Sequence, residues 1–232
     1  FNNYYNSYQN NTTDGEYTMC MGLYPDFSRA KDAASFYASR NSYLPFCLGN
    51  AFQEQKGIQS YGYHNHVGDY YGRDESHPNM GYTMKFSRDG MTFSGGWWPS
   101  SDLQMMEQSI PDYINEEQFH AYYMTFSGHY AYDLEENPMC KKNAAEVAHL
   151  PYSDTVKAYI SCHLELEKAM AYLMQRLEEQ GVADKTAIVL AGDHFPYGLD
   201  SDAPLGKMPY LSELYGYEVL DYFQRDHNRL IM

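Results

Sequence analysis

Basic residues are scarce in this chain of 232 residues, which has 16 Lys and Arg against 31 Asp and Glu and a formal net charge of −15. A molecule with that charge repels nucleic acid and anionic lipid surfaces, which argues against a nucleic-acid partner. A phosphate or sulfate ester could still bind, but only through local attraction from a metal ion and a few cationic side chains in a cleft.

The chain also lacks any apolar run of about 18 residues, the length that crosses a bilayer. It begins at Phe1 rather than Met and ends in the strand-like sequence HNRLIM. We therefore expect residues 1–232 to be one domain from a longer protein, incomplete at both ends, whose membrane association would come from a segment outside this chain.

Cysteine is sparse as well, and the four cysteines match no zinc-binding spacing. They are Cys20, Cys47, Cys140 and Cys162. Two alternatives stay open, namely four buried or unreactive thiols, or at least one disulfide bridge. Tyrosine is abundant by contrast, with 25 residues, and its apolar ring with a polar tip suits half-buried surfaces, sugar-like ligands and membrane-proximal faces.

Hydrophobic patterning predicts strands that alternate with helices. The predicted helices cover 43–57, 100–114, 153–181 and 211–225, and the predicted strands cover 58–64, 119–130, 186–192 and 228–232. The run TAIVLAG at 186–192 shows no alternation, which is typical of a central strand buried on both faces. This order predicts one doubly wound α/β domain with a mostly parallel sheet and helices on both faces, in which ligands bind beyond the carboxyl ends of the strands.

Two predicted strands end in histidine, in SGHY at 127–130 and in GDHF at 192–195. Asp193 and His194 are adjacent oxygen and nitrogen donors on a tight turn, and together they could face a divalent metal such as Mn²⁺ or Zn²⁺. The alternative is an Asp that caps the turn beside a locally hydrogen-bonded His.

Two other segments carry candidate chemistry. NNTTDGEYT at 10–18 places two hydroxyls beside acidic residues, and a Thr there could be a nucleophile with a metal nearby or an ordinary helix cap. HNHVGDYYGRDESHP at 64–78 contains Arg73, which could bind phosphate oxygens bidentately or pair with Asp69 or Asp74 in a solvated loop.

The series NTTDGEYT, YHNHVGDYYGRDESHPNMG, TFSGHYAY and VLAGDHFPYG, in this order and with similar separations, resembles the extracellular catalytic domain of lipoteichoic acid synthases and related phosphoglycerol transferases. These enzymes lie within the sulfatase and alkaline phosphatase superfamily. The resemblance covers nearly the whole chain and implies a sulfatase-like fold.

The resemblance also implies a role for each matching residue. Thr12 falls at the threonine nucleophile, which is also a metal ligand, and Asp193 and His194 match the metal-binding pair for Mn²⁺ or another divalent cation such as Mg²⁺ or Zn²⁺. The substrate-binding positions for the glycerol phosphate group are His64, Tyr71, Arg73 and His129. For His129, phosphate binding and protonation of the leaving oxygen are alternative roles.

The reaction that the resemblance implies transfers a glycerol phosphate group from phosphatidylglycerol to a hydroxyl of a glycerol phosphate or glycolipid acceptor. It passes through a phosphothreonine-type intermediate, at the cell membrane with the catalytic domain extracellular. The alternatives are a phosphoethanolamine transferase, a phosphodiesterase or sulfatase-type hydrolase, and a non-catalytic cell-surface binding module. The absence of a C/S-x-P-x-R motif at the nucleophile argues against a sulfatase.

Two departures from the family pattern affect these expectations. The family has an acidic metal ligand upstream of the Thr segment, and this chain does not contain that position; neither Asp14 nor Glu16 is assumed to replace it. We therefore expect an incomplete ligand set within residues 1–232. In addition, Asn11 stands where the family often has a basic residue.

Overall fold

A four-stranded sheet organises the computed structural model, which describes residues 1–5, 12–26, 35–200 and 203–232. Its strands are β1 (Ser60–His64), β2 (Thr83–Ser87), β3 (Gly90–Met91) and β4 (His120–Met124), in the order β3-β2-β1-β4. β1 runs parallel to both β2 and β4, so the carboxyl ends of these strands meet at one edge. Asn11 lies outside the described residues.

Helices flank this sheet, and a short antiparallel ladder of β5 (Leu190–Ala191) and β6 (Leu230–Ile231) lies apart from it. The helices are α1 (Thr12–Met21), α2 (Ser35–Ser39), α3 (Leu48–Lys56), α4 (Arg73–Asn79), α5 (Asp102–Ser109), α6 (Pro138–Val147), α7 (Asp154–Glu179), α8 (Pro209–Tyr215) and α9 (Tyr222–Arg225). Over the described ranges, none of them combines the length and the apolarity needed to cross a bilayer.

The two faces of the sheet pack against different helices because successive strand residues point to opposite sides. Tyr63 of β1 and Tyr123 of β4 belong to the apolar core beneath α5 and α7. Tyr122 points the other way and packs with the core that includes Met21 of α1 and Phe36 of α2. Helices therefore cover both faces of a mostly parallel sheet, as the predicted fold class requires.

Local capping signals explain where several helices begin and end. The Ser153 hydroxyl accepts a hydrogen bond from the Val156 amide at the start of α7, and Ser101 accepts one from Gln104 at the start of α5. Gly57 ends α3 in the left-handed conformation, with φ 68°, that glycine adopts without steric cost. These boundaries agree with the predicted helices.

The prediction that 186–192 forms a central strand buried on both faces is wrong. β5 has only two residues and pairs with β6 rather than with the main sheet. Val189, the residue immediately before β5, is 53% exposed. An apolar run indicates burial potential but not the pairing partner, and only a tertiary arrangement selects the neighbour.

Other sequence expectations need smaller corrections. The helix predicted over 211–225 is divided by Gly216, at φ 74°, into α8 and α9. The segment 64–78, for which a solvated loop is one alternative, contains most of α4, and β2 and α6 lie where the patterning predicts no element. α6 begins at Asn137, whose side chain accepts hydrogen bonds from the Met139 and Cys140 amides. All four cysteines are free thiols, which decides between the two alternatives left by the sequence.

Candidate functional site

The candidate site lies at the carboxyl ends of β1 and β4. His64 is the last residue of β1 and is in register with Met124, the last residue of β4. The Nδ1 atom of His64 lies 2.8 Å from the Met124 carbonyl oxygen. Since a carbonyl only accepts, Nδ1 carries the proton and Nε2 of the neutral ring is left as an acceptor. Burial, together with the nearby Arg73 charge, holds the pKa of His64 well below its usual value.

Arg73 is buried at the start of α4, where Glu16 of α1 binds it. The Nη2 atom of Arg73 donates to Glu16 Oε2 at 2.7 Å, and Nε donates to the same carboxylate at 3.0 Å. His77 and Tyr122 contact the other oxygen of Glu16, at 3.1 and 2.8 Å. The alternative in which Arg73 pairs with Asp69 or Asp74 is therefore wrong. The fold instead brings Glu16, 57 residues away in the sequence, into contact with Arg73.

This network is electrostatically balanced. Burial alone would raise the pKa of the Glu16 carboxyl, but the Arg73 charge and the His77 hydrogen bond more than offset it, and the pKa is strongly lowered. Glu16 is therefore an anion whose oxygens are occupied by cationic and neutral donors. The structure ties α1 to α4 and β4 through it, and it is not a spare ligand for a metal.

The third guanidinium nitrogen of Arg73, Nη1, lies on the side of the candidate site. It lies 3.5 Å from His64 Nε2 and 3.3 Å from the Tyr70 carbonyl oxygen. The Tyr71 ring stands over the guanidinium at 5.3 Å, and its backbone has φ 66°, an uncommon conformation for a residue other than glycine. Three of the substrate-binding candidates are thus brought together: His64, Tyr71 and Arg73.

Thr12 is the first residue of α1, and the adjacent Thr13 is fully buried. Gly15, three residues on, packs so closely against the Asp193 backbone that a Cβ atom there would lie 1.9 Å from the Asp193 carbonyl oxygen. Because residues three apart share a helix face, Thr12 lies on the face of α1 that meets the Asp193 turn. Position 15 therefore requires glycine, because any side chain there would clash with the Asp193 backbone.

Asp193 and His194 follow β5 and contact each other. The Asp193 carboxylate accepts from the His194 amide at 3.0 Å, which is the local turn bond anticipated as one alternative, and its other oxygen lies 3.1 Å from His194 Nε2. Burial lowers the pKa of His194, but the Asp193 charge outweighs it and the pKa is raised. Both side chains are partly exposed and share one surface.

The three histidines of the site share one tautomeric constraint. His129 Nδ1 lies 2.8 Å from the Tyr130 carbonyl and His194 Nδ1 lies 2.7 Å from the Phe195 carbonyl, as His64 does with Met124. Each Nδ1 must therefore carry its proton, which leaves Nε2 of His64 and His129 to act as an acceptor, whereas Nε2 of His194 faces the Asp193 carboxylate at 3.1 Å. A backbone carbonyl on one ring nitrogen is the usual way in which proteins orient a ligating or proton-accepting imidazole.

Asp102 is an important residue that sequence analysis missed. Its Oδ1 atom accepts from the Asn65 side-chain amide and from the Phe126 amide, both at 2.8 Å, and Ser127 donates through its amide and its hydroxyl. Asn65 follows β1 and Phe126 follows β4, so one buried carboxylate joins the two strand ends that carry His64 and His129. Its signal in the sequence is the Ser-Ser-Asp start of the helix predicted at 100–114, which by itself indicates only a helix cap.

His66 is a second residue that the sequence did not single out. It is almost fully buried, and its two ring nitrogens have no hydrogen-bond partner within the described part of the chain. Aromatic rings surround it, with Tyr70 and Trp98 at 5.0 Å and Phe126 at 4.9 Å. Burial lowers the pKa of His66 to about 4, so it is neutral at physiological pH.

The donor set for a metal is partial. Asp193 offers carboxylate oxygen and His194 offers Nε2, both suited to Mn²⁺ or Zn²⁺, and Thr12 offers a hydroxyl on the facing helix. Over residues 1–5, 12–26, 35–200 and 203–232, no three His, Cys, Asp or Glu side chains form a group that could hold a metal. The donors present fit a divalent cation in kind, and they do not complete its coordination.

The parallel sheet covered by helices on both faces defines an α/β domain of the alkaline phosphatase-like class. The chain belongs to the sulfatase family, since the family model described as Sulfatase matches residues 1–219.

Curated relatives include lipoteichoic acid synthases. The chain is 24% identical over 228 residues to lipoteichoic acid synthase 1 of Bacillus subtilis, covering 96% of this chain and 33% of the relative. It is 24% identical over 207 residues to the lipoteichoic acid synthase of Staphylococcus saprophyticus, covering 84% of this chain and 29% of the relative. The chain thus spans about a third of the length of these relatives.

Solved structures show the same fold. The lipoteichoic acid synthase LtaP from Listeria monocytogenes superposes with a TM-score of 0.68 at 17% identity, covering 99% of this chain and 54% of that chain. The Streptococcus pyogenes phosphoglycerol transferase GacH, solved in complex with sn-glycerol-1-phosphate, gives 0.58 at 13% identity and covers 97% and 55%.

Proposed function

We propose that this chain is the catalytic part of a phosphoglycerol transferase, which moves a glycerol phosphate group from phosphatidylglycerol to a hydroxyl of a glycerol phosphate or glycolipid acceptor. The observation that supports it most is the close packing of Gly15 against Asp193. That contact brings the helix of Thr12 to the Asp193–His194 turn, while Glu16 on the same helix fixes Arg73 beside His64. The names of the relatives are consistent with this activity.

Thr12 is the proposed nucleophile. Its Oγ attacks phosphorus in line, the bond from phosphorus to the diacylglycerol oxygen breaks, and a glycerophosphoryl group remains on Thr12. The proton of the Thr12 hydroxyl ends on the departing diacylglycerol oxygen. In the second half-reaction the acceptor hydroxyl attacks, the bond to Thr12 breaks, and the proton of the acceptor ends on Thr12.

The histidines take roles that follow from their tautomers. A neutral His64 with its proton on Nδ1 presents Nε2 as an acceptor, which suits a glycerol hydroxyl better than a phosphate oxygen. His129 has the same arrangement, and burial lowers its pKa. We therefore assign His129 as the group that takes the proton from the acceptor hydroxyl, rather than as the acid that protonates the leaving oxygen. Arg73 Nη1 is the cationic donor for the phosphate.

A divalent cation, the cofactor that sulfatase-family enzymes typically use, would be held by Asp193, His194 and Thr12. When bound, it would lower the pKa of the Thr12 hydroxyl and neutralise phosphate charge; Mn²⁺ is our first choice. Further ligands would have to come from outside the described residues. The proposed location is the outer face of the cell membrane, where the lipid donor resides.

The test uses the intact protein that carries this chain, with Mn²⁺ and fluorescent phosphatidylglycerol. Replacing Thr12 with Ala should reduce diacylglycerol release by about 1,000-fold or more, because the hydroxyl that forms the proposed covalent intermediate is removed. The matched variant Thr12→Ser keeps a hydroxyl and should keep measurable release. Intact-mass spectrometry of the wild type should show one glycerophosphoryl group that Thr12→Ala lacks.

Three outcomes would change the proposal. Unchanged release by Thr12→Ala removes the nucleophile. Free glycerol phosphate as the main product, with the acceptor unmodified, makes the protein a hydrolase. No release by folded, metal-loaded wild type leaves a binding module.

A further inference from the structure

Four aromatic side chains form a rim beside the candidate site. We name this group the aromatic rim and define it as Tyr70, Trp97, Trp98 and Tyr130. Trp98 contacts two of the others, with ring centroids 5.7 Å from Tyr70 and 5.8 Å from Trp97, and His129 lies between it and Tyr130. Trp97 is 62% exposed, Tyr70 40% and Tyr130 41%, so three of the four rings present apolar surface to the outside. None of the four carries a charge.

The aromatic rim is continuous with the site. The Trp98 ring lies 4.8 Å from the His129 ring, and His129 stacks on Tyr130 at 4.9 Å. From Tyr130 the contacts continue to Tyr197 at 5.4 Å, and from Tyr197 to His194 at 4.7 Å. On its other side the rim covers His66, against which Trp97 stacks at 5.7 Å. The aromatic rim is therefore joined to His129 and His194 by one continuous series of ring contacts.

We propose that the aromatic rim inserts into the head-group layer of a phospholipid bilayer and holds the site against the membrane surface. This inference rests on the proposed function, because the phosphorus of a lipid donor lies in that layer and the residues around the site must reach it. Trp and Tyr are the side chains that favour the bilayer interface, where an apolar ring and a polar edge are both satisfied.

Charge favours a lipid contact that does not depend on basic residues. The chain has a net charge of −15, so its overall field repels an anionic bilayer. Uncharged rings provide attachment that this field does not supply. Salt should then leave the contact unchanged or strengthen it by screening the repulsion, which is opposite to the behaviour of a polybasic membrane surface.

Trp97 and Trp98 are the only two tryptophans in the sequence, so intrinsic tryptophan fluorescence reports directly on the aromatic rim. The 232-residue chain is mixed with phosphatidylcholine vesicles, with and without bromine on the acyl chains, and its fluorescence is recorded. We expect a blue shift on vesicle addition and quenching by the brominated lipid, at low and high salt alike. The Trp98→Phe variant leaves Trp97 as the single probe and should show the same quenching.

Removing the exposed ring gives the quantitative test. Trp97→Ala should weaken vesicle partitioning, measured by sedimentation, by about tenfold, which corresponds to roughly 60 Å² of apolar surface leaving water. Phe223→Ala is the matched control, because Phe223 is 74% exposed and lies outside the rim. Thermal unfolding of each variant shows whether the fold is retained.

Activity separates this inference from the proposed function. The intact protein is assayed with phosphatidylglycerol in vesicles and with deacylated, water-soluble glycerophosphoglycerol. Trp97→Ala should lose turnover on vesicles and keep it on the soluble donor. Equal losses on both donors would assign the rim to the acceptor and overturn the lipid contact. A shift of the wild-type tryptophan emission on adding soluble polyglycerol phosphate, with no quenching by brominated lipid, would do the same. Vesicle quenching without turnover on either donor would overturn the proposed function alone.

Discussion

Two buried carboxylates hold the site together, and they solve the problem of burial in opposite ways. Glu16 is surrounded by the Arg73 guanidinium, His77 and the Tyr122 hydroxyl, and its pKa is lowered despite burial. Among the described residues, Asp102 accepts hydrogen bonds only from neutral amides and a hydroxyl, and burial leaves its pKa raised. Hydrogen bonds satisfy the oxygens of both groups, whereas only the Glu16 charge is compensated by a cation.

The difference predicts which carboxylate the molecule needs as a charge. Glu16 connects three elements through an ion pair and hydrogen bonds. Losing its charge would leave the buried Arg73 guanidinium without a compensating anion. Asp102 connects two strand ends through its oxygen positions, which a neutral amide can partly reproduce. The larger penalty should therefore attach to Glu16.

The largest expected effect is that of Glu16→Ala. Removing one partner of a buried ion pair leaves the other uncompensated, so the free energy of unfolding should fall by about 3–5 kcal/mol. Urea denaturation followed by circular dichroism measures it. The control is Glu146→Ala, which breaks the exposed 2.6 Å pair with Lys168 and should cost about 1 kcal/mol or less. Similar losses in the two variants would show that Glu16 is not a buried ion partner.

A smaller effect should distinguish the amide variants of the two carboxylates. Asp102→Asn keeps an acceptor for Asn65 and Phe126, and the Ser127 hydroxyl can rotate to accept from the new amide, so it should cost about 1 kcal/mol. Glu16→Gln leaves Arg73 facing a neutral group and should cost clearly more. Asp102→Ala, which removes the acceptor of four buried donor groups, should cost about 1–3 kcal/mol. An Asp102→Asn loss equal to that of Glu16→Gln would contradict the comparison.

The smallest effect is on the pH dependence of stability. The folded-state pKa of Glu16 lies below its unfolded value of about 4.3, so its contribution is complete above that pH and is lost as pH falls. The folded pKa of Asp102 lies above its unfolded value, so acidification relieves a penalty instead. Between about pH 6 and pH 3, unfolding free energy should fall less steeply in Glu16→Gln and more steeply in Asp102→Asn than in the wild type. Parallel pH profiles for all three proteins would refute both assignments.

Much of the fold could be predicted because its signals are local. Gly57 marks the end of α3, and Ser101 and Ser153 mark the starts of α5 and α7. Apolar patterning predicts the end of β1 at His64, but it extends β4 too far, because that strand ends at Met124 and not at His129. The order of four motifs also indicates the family that the match over residues 1–219 shows. The roles of Thr12 and of the substrate-binding residues stay predictions.

The rest depended on partners distant in sequence. A guanidinium is drawn to whichever carboxylate shares its low-dielectric surroundings, so Arg73 pairs with Glu16 rather than with Asp69 or Asp74 nearby in the chain. The run at 186–192 shows the same limit, since its apolar residues could not reveal that β5 pairs with β6.

By itself, the sequence determined much of the alternation of strands and helices, the capped helix ends at Gly57, Ser101 and Ser153, and the residue types that a phosphate chemistry would use, since caps and periodicity act over a few residues. The tertiary structure alone decided which carboxylate neutralises Arg73, how Asp102 joins two strand ends, and how closely Gly15 lets α1 approach Asp193. Those contacts depend on distance in space, because Coulomb attraction, hydrogen bonding and steric exclusion act between atoms regardless of their separation along the chain.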